Sequence, residues 1–177
     1  IAAFIAMTIG FVSGYRGGIV DEILGMLTNV VLVLPTLAVL IVFAAGMLAT
    51  RLAPRYGLDR SIRGGLFVAA AGSTAMLLVS LYSPSFLPFL GAISVFLLGM
   101  GIVNPLGTAQ ALSPFGDRAG AASALVGFWQ MMTAAIGVWL AATISHDALF
   151  ALGVVLTVFS LAAVGLYTRR AKAVKAA

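Results

Sequence analysis

This chain of 177 residues contains no cysteine, one histidine and five acidic residues, and only 8% of its residues are charged. The absence of cysteine excludes disulfides, thiolate metal ligands and cysteine nucleophiles. Soluble domains are usually about a quarter charged. The low charge, together with 62% hydrophobic residues and a mean hydropathy of +1.16, indicates a polytopic protein of the lipid bilayer.

Charged and turn-forming residues divide the sequence into six apolar segments. A helix needs roughly 20 apolar residues to cross a bilayer, and every segment except the first reaches that length. Backbone that faces lipid must satisfy its own hydrogen bonds, so we predict an all-α membrane protein with six transmembrane helices. The predicted helices cover residues 1–15, 23–49, 62–82, 85–112, 119–144 and 147–168, and a basic tail covers residues 169–177.

The first segment, IAAFIAMTIGF, does not begin with methionine and lacks the basic residues of a signal peptide. Its composition is that of the interior of a transmembrane helix and not that of a helix start. We therefore expect that the chain is a piece of a longer protein.

The Lys and Arg residues are distributed unequally between the two sides of the predicted bundle. One side holds Arg16 alone, and the other holds nine basic residues: Arg51, Arg55, Arg60, Arg63, Arg118, Arg169, Arg170, Lys172 and Lys175. Basic loops remain in the cytoplasm, so this bias predicts that residues 50–63 and the C-terminus are cytoplasmic. No aromatic residues alternate with the basic ones, and we expect no nucleic-acid partner.

Most of the acidic side chains are predicted to cap helix N-termini. Asp21, Glu22, Asp117 and Asp147 each precede a predicted helix, where a carboxylate meets free N–H groups and the positive end of the helix dipole. Ser61 could cap the helix at 62–82 in the same way. No acidic residue is predicted at membrane depth.

Residues 46–60, GMLATRLAPRYGLDR, resemble the signature loop of the major facilitator superfamily, G-x-x-x-D-R-x-G-R-R. That loop joins the second and third helices of the family and recurs in weaker form between the eighth and ninth. Thr50 stands here in the place of the family's acid, and three extra residues precede the turn, which suits the weaker C-terminal copy. The resemblance implies a gating role for the residues that match the pattern, Gly46, Arg51, Arg55, Gly57 and Arg60.

A second stretch, residues 99–130, resembles the tenth and eleventh helices of bicyclomycin-resistance-type drug/proton antiporters. The shared run is P-F-x-x-x-A-G-x-A-S-x-L, represented here by Pro114, Phe115, Ala119, Gly120, Ala122, Ser123 and Leu125. The resemblance implies one six-helix half-bundle, the C-terminal half of a transporter in the bacterial inner membrane. It further implies proton-coupled efflux of a small amphipathic substrate by alternating access. An N-terminal six-helix half would be its partner and would hold the coupling acid.

Helix 119–144 carries the main candidates for a substrate cavity. Small residues recur on one face at spacings of three and four, and the amide of Gln130 interrupts them. An amide at depth needs a polar partner, so Gln130 is a site candidate, although a face of small residues is equally typical of helix packing. Trp129 could stack on an aromatic or cationic substrate or face lipid.

Helix 85–112 and helix 23–49 add further candidates. Asn104 and Thr108 share a face, whereas Gln110 is predicted to point to a neighbouring helix or to the inner mouth. Asn29 is expected near the outer mouth. Pro105 removes a backbone hydrogen bond and is predicted to kink its helix, either beside the cavity or as a feature of packing.

Other classes of function have less support in the sequence. A non-drug transporter of the same superfamily, for a sugar, a metabolite or an ion, and a structural membrane subunit both remain open. A water channel would need two Asn-Pro boxes, and only Asn104-Pro105 is present. His146 is expected in a solvated loop beside Asp147, and the sequence contains no HExxH motif and no paired membrane aspartates, so we predict no enzyme, no metal site and no cofactor.

Overall fold

The computed structural model describes the backbone of residues 18–82, 85–144 and 147–176, and the side chains of residues 36–82, 85–144 and 147–170. All regular structure within these ranges is helical. The helices are α1 (Gly18–Tyr56), α2 (Leu58–Tyr82), α3 (Phe86–Leu112), a 3₁₀ helix (Ser113–Arg118), α4 (Ala119–Ile144) and α5 (Ala148–Ala176).

Four helical stretches in the described ranges are long and apolar enough to cross a membrane: Thr36–Tyr56, Leu58–Tyr82, Phe86–Ile144 and Ala148–Arg170. The third is 59 residues long and contains α3 and α4, joined by the 3₁₀ helix, in which Phe115 leaves helical geometry (φ −112°, ψ 35°). An all-helical membrane protein is therefore supported. The six-helix half-bundle stays a prediction, and predicted segment 1–15 lies outside the described residues.

The chain divides into two compact units, Ile1–Leu40 and Ile41–Ala177. The described part of the first unit is the backbone of α1 from Gly18 to Leu40, with the side chains of residues 36–40. The second unit contains the rest of α1 and helices α2 to α5. Every contact and cavity discussed below belongs to the second unit.

A cluster of buried hydrophobic residues lies towards the arginine-bearing ends of the helices, and further buried residues, among them Ala69, Met76 and Ala151, lie outside this cluster. α2 packs against α3 and α5. The buried cluster comprises Ala45, Ala49, Ile62, Leu66, Ile102 and Leu106, and Ala163, Val164 and Tyr167 pack against it from α5. By contrast, α4 contains no buried residue.

Glycine allows α2 and α3 to approach closely. A Cβ atom built on Gly99 would collide with the backbone nitrogen of Ala69, and one built on Gly72 would collide with the backbone of Phe96. Small residues let two helix backbones meet in this way inside a membrane, where dispersion contacts drive association. The two glycines therefore determine how near the helices can pack.

The helices extend further than the sequence predicted. The predicted helix 23–49 runs from Gly18 to Tyr56, 62–82 begins at Leu58, and the tail predicted from residue 169 continues as helix to Ala176. Hydropathy marks where a segment leaves the hydrocarbon, but arginine, lysine and alanine are strong helix formers and prolong a helix beyond that point. The basic loop of residues 50–63 is thus almost entirely helical.

A single residue outside helical structure, Gly57, separates α1 from α2. Its φ of 85° suits glycine, and its N–H donates to the carbonyl of Ala53 at 3.0 Å. This left-handed residue ends α1. The predicted capping by Ser61 is wrong, since α2 already begins at Leu58 and the Ser61 hydroxyl donates to the carbonyl of Gly57 at 2.9 Å.

The predicted cap at Asp147 is confirmed. Its Oδ1 accepts hydrogen bonds from the backbone N–H groups of Leu149 at 2.9 Å and Phe150 at 3.3 Å, at the start of α5. Asp21 and Glu22 differ from the prediction in position, since they lie inside the first turns of α1, with side chains outside the described ones. Asp117 does precede α4, within the 3₁₀ helix, and its capping role stays a prediction.

Candidate functional site

A cavity of about 760 Å³ lies between α2, α3, α4 and α5. Its walls are mainly apolar and aromatic, and they include Leu66, Phe96, Met100, Trp129 and Phe159. The volume falls in the range of small-molecule sites, which combine apolar walls with a few polar groups. The polar side chains here are those of Gln130, Thr133 and Ser160.

Gln130 and Trp129 both line this cavity. The Gln130 Nε2 atom donates to Asn104 Oδ1 on α3 over 3.4 Å, a long and therefore weak hydrogen bond. The Trp129 ring makes an edge-to-face contact with Phe128, with ring centroids 6.2 Å apart, and 56% of Trp129 remains exposed. Gln130 thus faces the cavity and also bridges two helices, so its geometry accommodates both roles considered from the sequence.

Two other predicted cavity residues, Asn104 and Thr108, are absent from this lining. Asn104 reaches the cavity only through its bond to Gln130, and Thr108 is half-buried on α3. The side chain of Asn29 lies outside those that the structure describes, and so does His146, which was predicted to be a solvated loop residue. The roles of Asn29, Asn104 and Thr108 in substrate binding remain predictions.

Pro105 lies inside α3, which continues as a helix to Leu112. A proline cannot donate to the carbonyl four residues earlier, which here belongs to Gly101. A Cβ built on Gly46 would lie 3.9 Å from that carbonyl oxygen, so α1 and α3 are close at this point. Pro105 itself is exposed and is absent from the described cavity walls.

The predicted loop motif forms the junction between α1 and α2. Arg51, Arg55 and Arg60 are exposed, and the Arg55 guanidinium lies 5.5 Å from the ring centroid of Tyr56. Gly57 provides the turn itself. A gating role for these residues stays a prediction.

A polar cluster that the sequence did not reveal joins three helices at the same end of the bundle. Asp59 Oδ1 on α2 accepts a hydrogen bond from Gln110 Nε2 on α3 at 2.8 Å, and another from the Tyr167 hydroxyl on α5 at 2.8 Å. That hydroxyl also lies 3.0 Å from Gln110 Oε1. We call Asp59, Gln110 and Tyr167 the carboxylate cluster. Gln110 therefore does reach neighbouring helices, as expected.

Comparison with known proteins gives one informative result. Over 104 residues, 58% of its length, the chain is 38% identical to the multidrug resistance protein MdtL of Shewanella oneidensis. The chain is similar to a multidrug resistance protein. The matched region spans 25% of the length of MdtL.

Two further comparisons found nothing. No protein-family model matches the chain, and no solved structure matches it. Within the described residues, no group of three or more His, Cys, Asp or Glu side chains is arranged to hold a metal ion.

Proposed function

We propose that this chain is the C-terminal half of a secondary transporter of the major facilitator superfamily, of the bicyclomycin-resistance type. It exports small amphipathic drugs across the bacterial inner membrane in exchange for protons, by alternating access. Its C-terminus is cytoplasmic. An N-terminal six-helix half supplies the other wall of the pathway and the titrating acid that couples transport to protons.

The cavity lined by Gln130 and Trp129 is the observation that carries this proposal. Its apolar walls suit the hydrophobic part of a drug, the Trp129 face suits an aromatic or cationic group, and the Gln130 amide offers one directional hydrogen bond. Few polar contacts and large apolar walls are what a site needs in order to accept varied substrates. The similarity to MdtL supports the drug class of substrate.

Substitution of Gln130 by alanine tests whether the cavity binds substrate. The protein is produced with any sequence that naturally flanks the chain, and both dye affinity and melting temperature in detergent are measured. Loss of one amide contact costs about 1–2 kcal/mol at most, so affinity should fall by a factor of about 5 to 30 at most. Stability should change little, because the bond to Asn104 is 3.4 Å long.

Asn104→Ala is the matched control. It removes the same interhelical bond, but Asn104 is absent from the cavity lining. If Gln130 contacts substrate directly, Gln130→Ala weakens dye binding more than Asn104→Ala does. Equal effects of the two variants on stability, with unchanged affinity in both, would remove Gln130 from the substrate site.

A further inference from the structure

A second cavity adjoins the proposed substrate cavity. It measures about 370 Å³, lies between α2, α3 and α5, and shares Leu66, Val103 and Ala163 with the larger cavity. The cavity wall extends along α3 from Val103 to Gln110 and along α5 from Ala163 to Arg170, and the two residues of each pair are seven positions apart. Seven positions are roughly 10 Å of helix at 1.5 Å per residue. The second cavity therefore extends about two turns towards the arginine-bearing end of the bundle.

The lining of this second cavity changes from apolar to polar along its length. Apolar residues and Gly107 form most of the wall, and Gln110, Tyr167 and Arg170 lie at its end. Arg170 follows Arg169 at the point where the apolar sequence of α5 gives way to the basic sequence TRRAKAVK. Tyrosine and arginine at the end of a membrane-spanning helix typically lie at the level of the lipid headgroups.

The charge at this end favours an anion. Asp59 is the acidic residue nearby, and its Oδ1 already accepts hydrogen bonds from Gln110 and Tyr167. The cations that act on it are Arg63 and Arg170. Because the arginines outnumber the carboxylate, a cationic drug would be repelled here, whereas a phosphate could accept hydrogen bonds from the Arg170 guanidinium.

We propose that the second cavity binds one acyl chain of an anionic phospholipid from the surrounding bilayer, with the headgroup phosphate on Arg170. The acyl chain lies along Leu66, Val103 and Ala163, and the phosphate lies where the sequence of α5 changes from apolar to basic. A bound lipid would fill space between α2, α3 and α5 that the side chains leave open. The site depends on membrane embedding and does not rest on the proposed transport function.

Photolabelling in nanodiscs tests the site. The protein, with any natural flanking sequence, is embedded in phosphatidylcholine that contains a trace of phosphatidylglycerol with a diazirine on its acyl chain, and labelled peptides are identified by mass spectrometry. Labels are expected on the helix segments around Leu66, Val103 and Ala163. Arg170→Gln should reduce labelling about fivefold, since a basic residue near an anionic surface contributes about 1 kcal/mol. Arg170→Lys should retain most of it.

Gly107→Phe is a second variant, which fills the cavity and leaves Arg170 and every other charged residue in place. A Cβ at Gly107 meets no atom within 4 Å, so the ring can enter the open space and block the acyl chain. Gly91→Phe is its matched control, because Gly91 is on the same helix, is equally unobstructed and is absent from the walls of both cavities. Labelling should fall in the first variant and persist in the second.

Three outcomes would overturn the proposal. The first is equal labelling by a diazirine phosphatidylcholine. The second is an equal loss in Arg169→Gln, the neighbouring arginine that is absent from the cavity wall, which would indicate only a diffuse basic surface. The third is the absence of label from the segments around Leu66, Val103 and Ala163 while Arg170→Gln still lowers total labelling, which would place the lipid on Arg170 but outside the second cavity.

Discussion

Removal of the Tyr167 hydroxyl should loosen the arginine-bearing ends of three helices. Within the carboxylate cluster, the hydroxyl donates to Asp59 Oδ1 at 2.8 Å, and the same oxygen accepts from Gln110 at 2.8 Å. A hydroxyl has one proton, so its donor bond is to either Asp59 or Gln110 at any instant. The charged and closer acceptor, Asp59, is favoured. Tyr167→Phe therefore removes one charge-assisted hydrogen bond between α5 and α2.

The expected cost of this change is modest. A hydrogen bond to a charged group contributes about 1.5–3 kcal/mol in soluble proteins, but hydrogen bonds between membrane helices average about 0.6 and reach about 1.7 kcal/mol. Asp59 is exposed, and exposure weakens an interaction between polar or charged groups further. We expect Tyr167→Phe to lower the free energy of unfolding by about 1 kcal/mol.

A double-mutant cycle in detergent measures this contribution. Tyr167→Phe, Asp59→Ala and the double variant are unfolded reversibly with denaturant, and the coupling between the two positions should be about 1 kcal/mol. Tyr82→Phe is the matched control, because Tyr82 is 83% exposed at the far end of α2 and should change stability by less than about 0.5 kcal/mol. A coupling near zero would refute the reasoning, because it would show that the hydrogen bond between Tyr167 and Asp59 does not stabilise the protein.

Further predictions concern packing, capping, topology and activity. Gly101→Ala should destabilise the protein by about 1–3 kcal/mol, since its new Cβ would lie 2.6 Å from Ala45 Cβ, whereas Gly91→Ala on the same helix should not destabilise it. Asp147→Ala should cost about 1 kcal/mol and speed amide exchange at the start of α5. In this cysteine-free background, Arg60→Cys should react with an impermeant maleimide only from the cytoplasmic side; reaction from outside would reverse the topology. The 177-residue chain alone should show no proton-coupled dye transport in liposomes, and robust transport by a monomer would contradict the half-transporter proposal.

The features that could be predicted from the sequence depend on helical spacing or on a few adjacent residues. The spacing of Gln130 among small residues identifies the helix face that lines the cavity, because helical periodicity alone decides which side chains share a face. Gly57 and Asp147 were predictable for the same reason, since a left-handed turn and an N-cap depend on a few adjacent residues.

The carboxylate cluster was not predictable in this way. Asp59 is 51 positions from Gln110 and 108 from Tyr167, so only the packing of α2, α3 and α5 brings the three together. The available signals were weak: an acid beside Arg60 in the signature-like loop, an amide in an apolar helix and a tyrosine next to the terminal arginines. The helix ends were also misplaced, because hydropathy reports contact with lipid rather than the end of hydrogen bonding along the backbone.

Dye transport after the cavity is filled tests the central claim most directly. Ala134 lines the cavity, and its neighbour Ala135 is absent from the lining and projects about 100° away around α4. Ala134→Leu and Ala135→Leu add the same atoms to the same helix, and each is reconstituted with any natural flanking sequence in liposomes that carry a proton gradient. We predict that Ala134→Leu severely reduces gradient-driven dye transport and that Ala135→Leu leaves it near the level of the unmodified protein. Equal transport by the two variants would contradict the claim that this cavity is the substrate site.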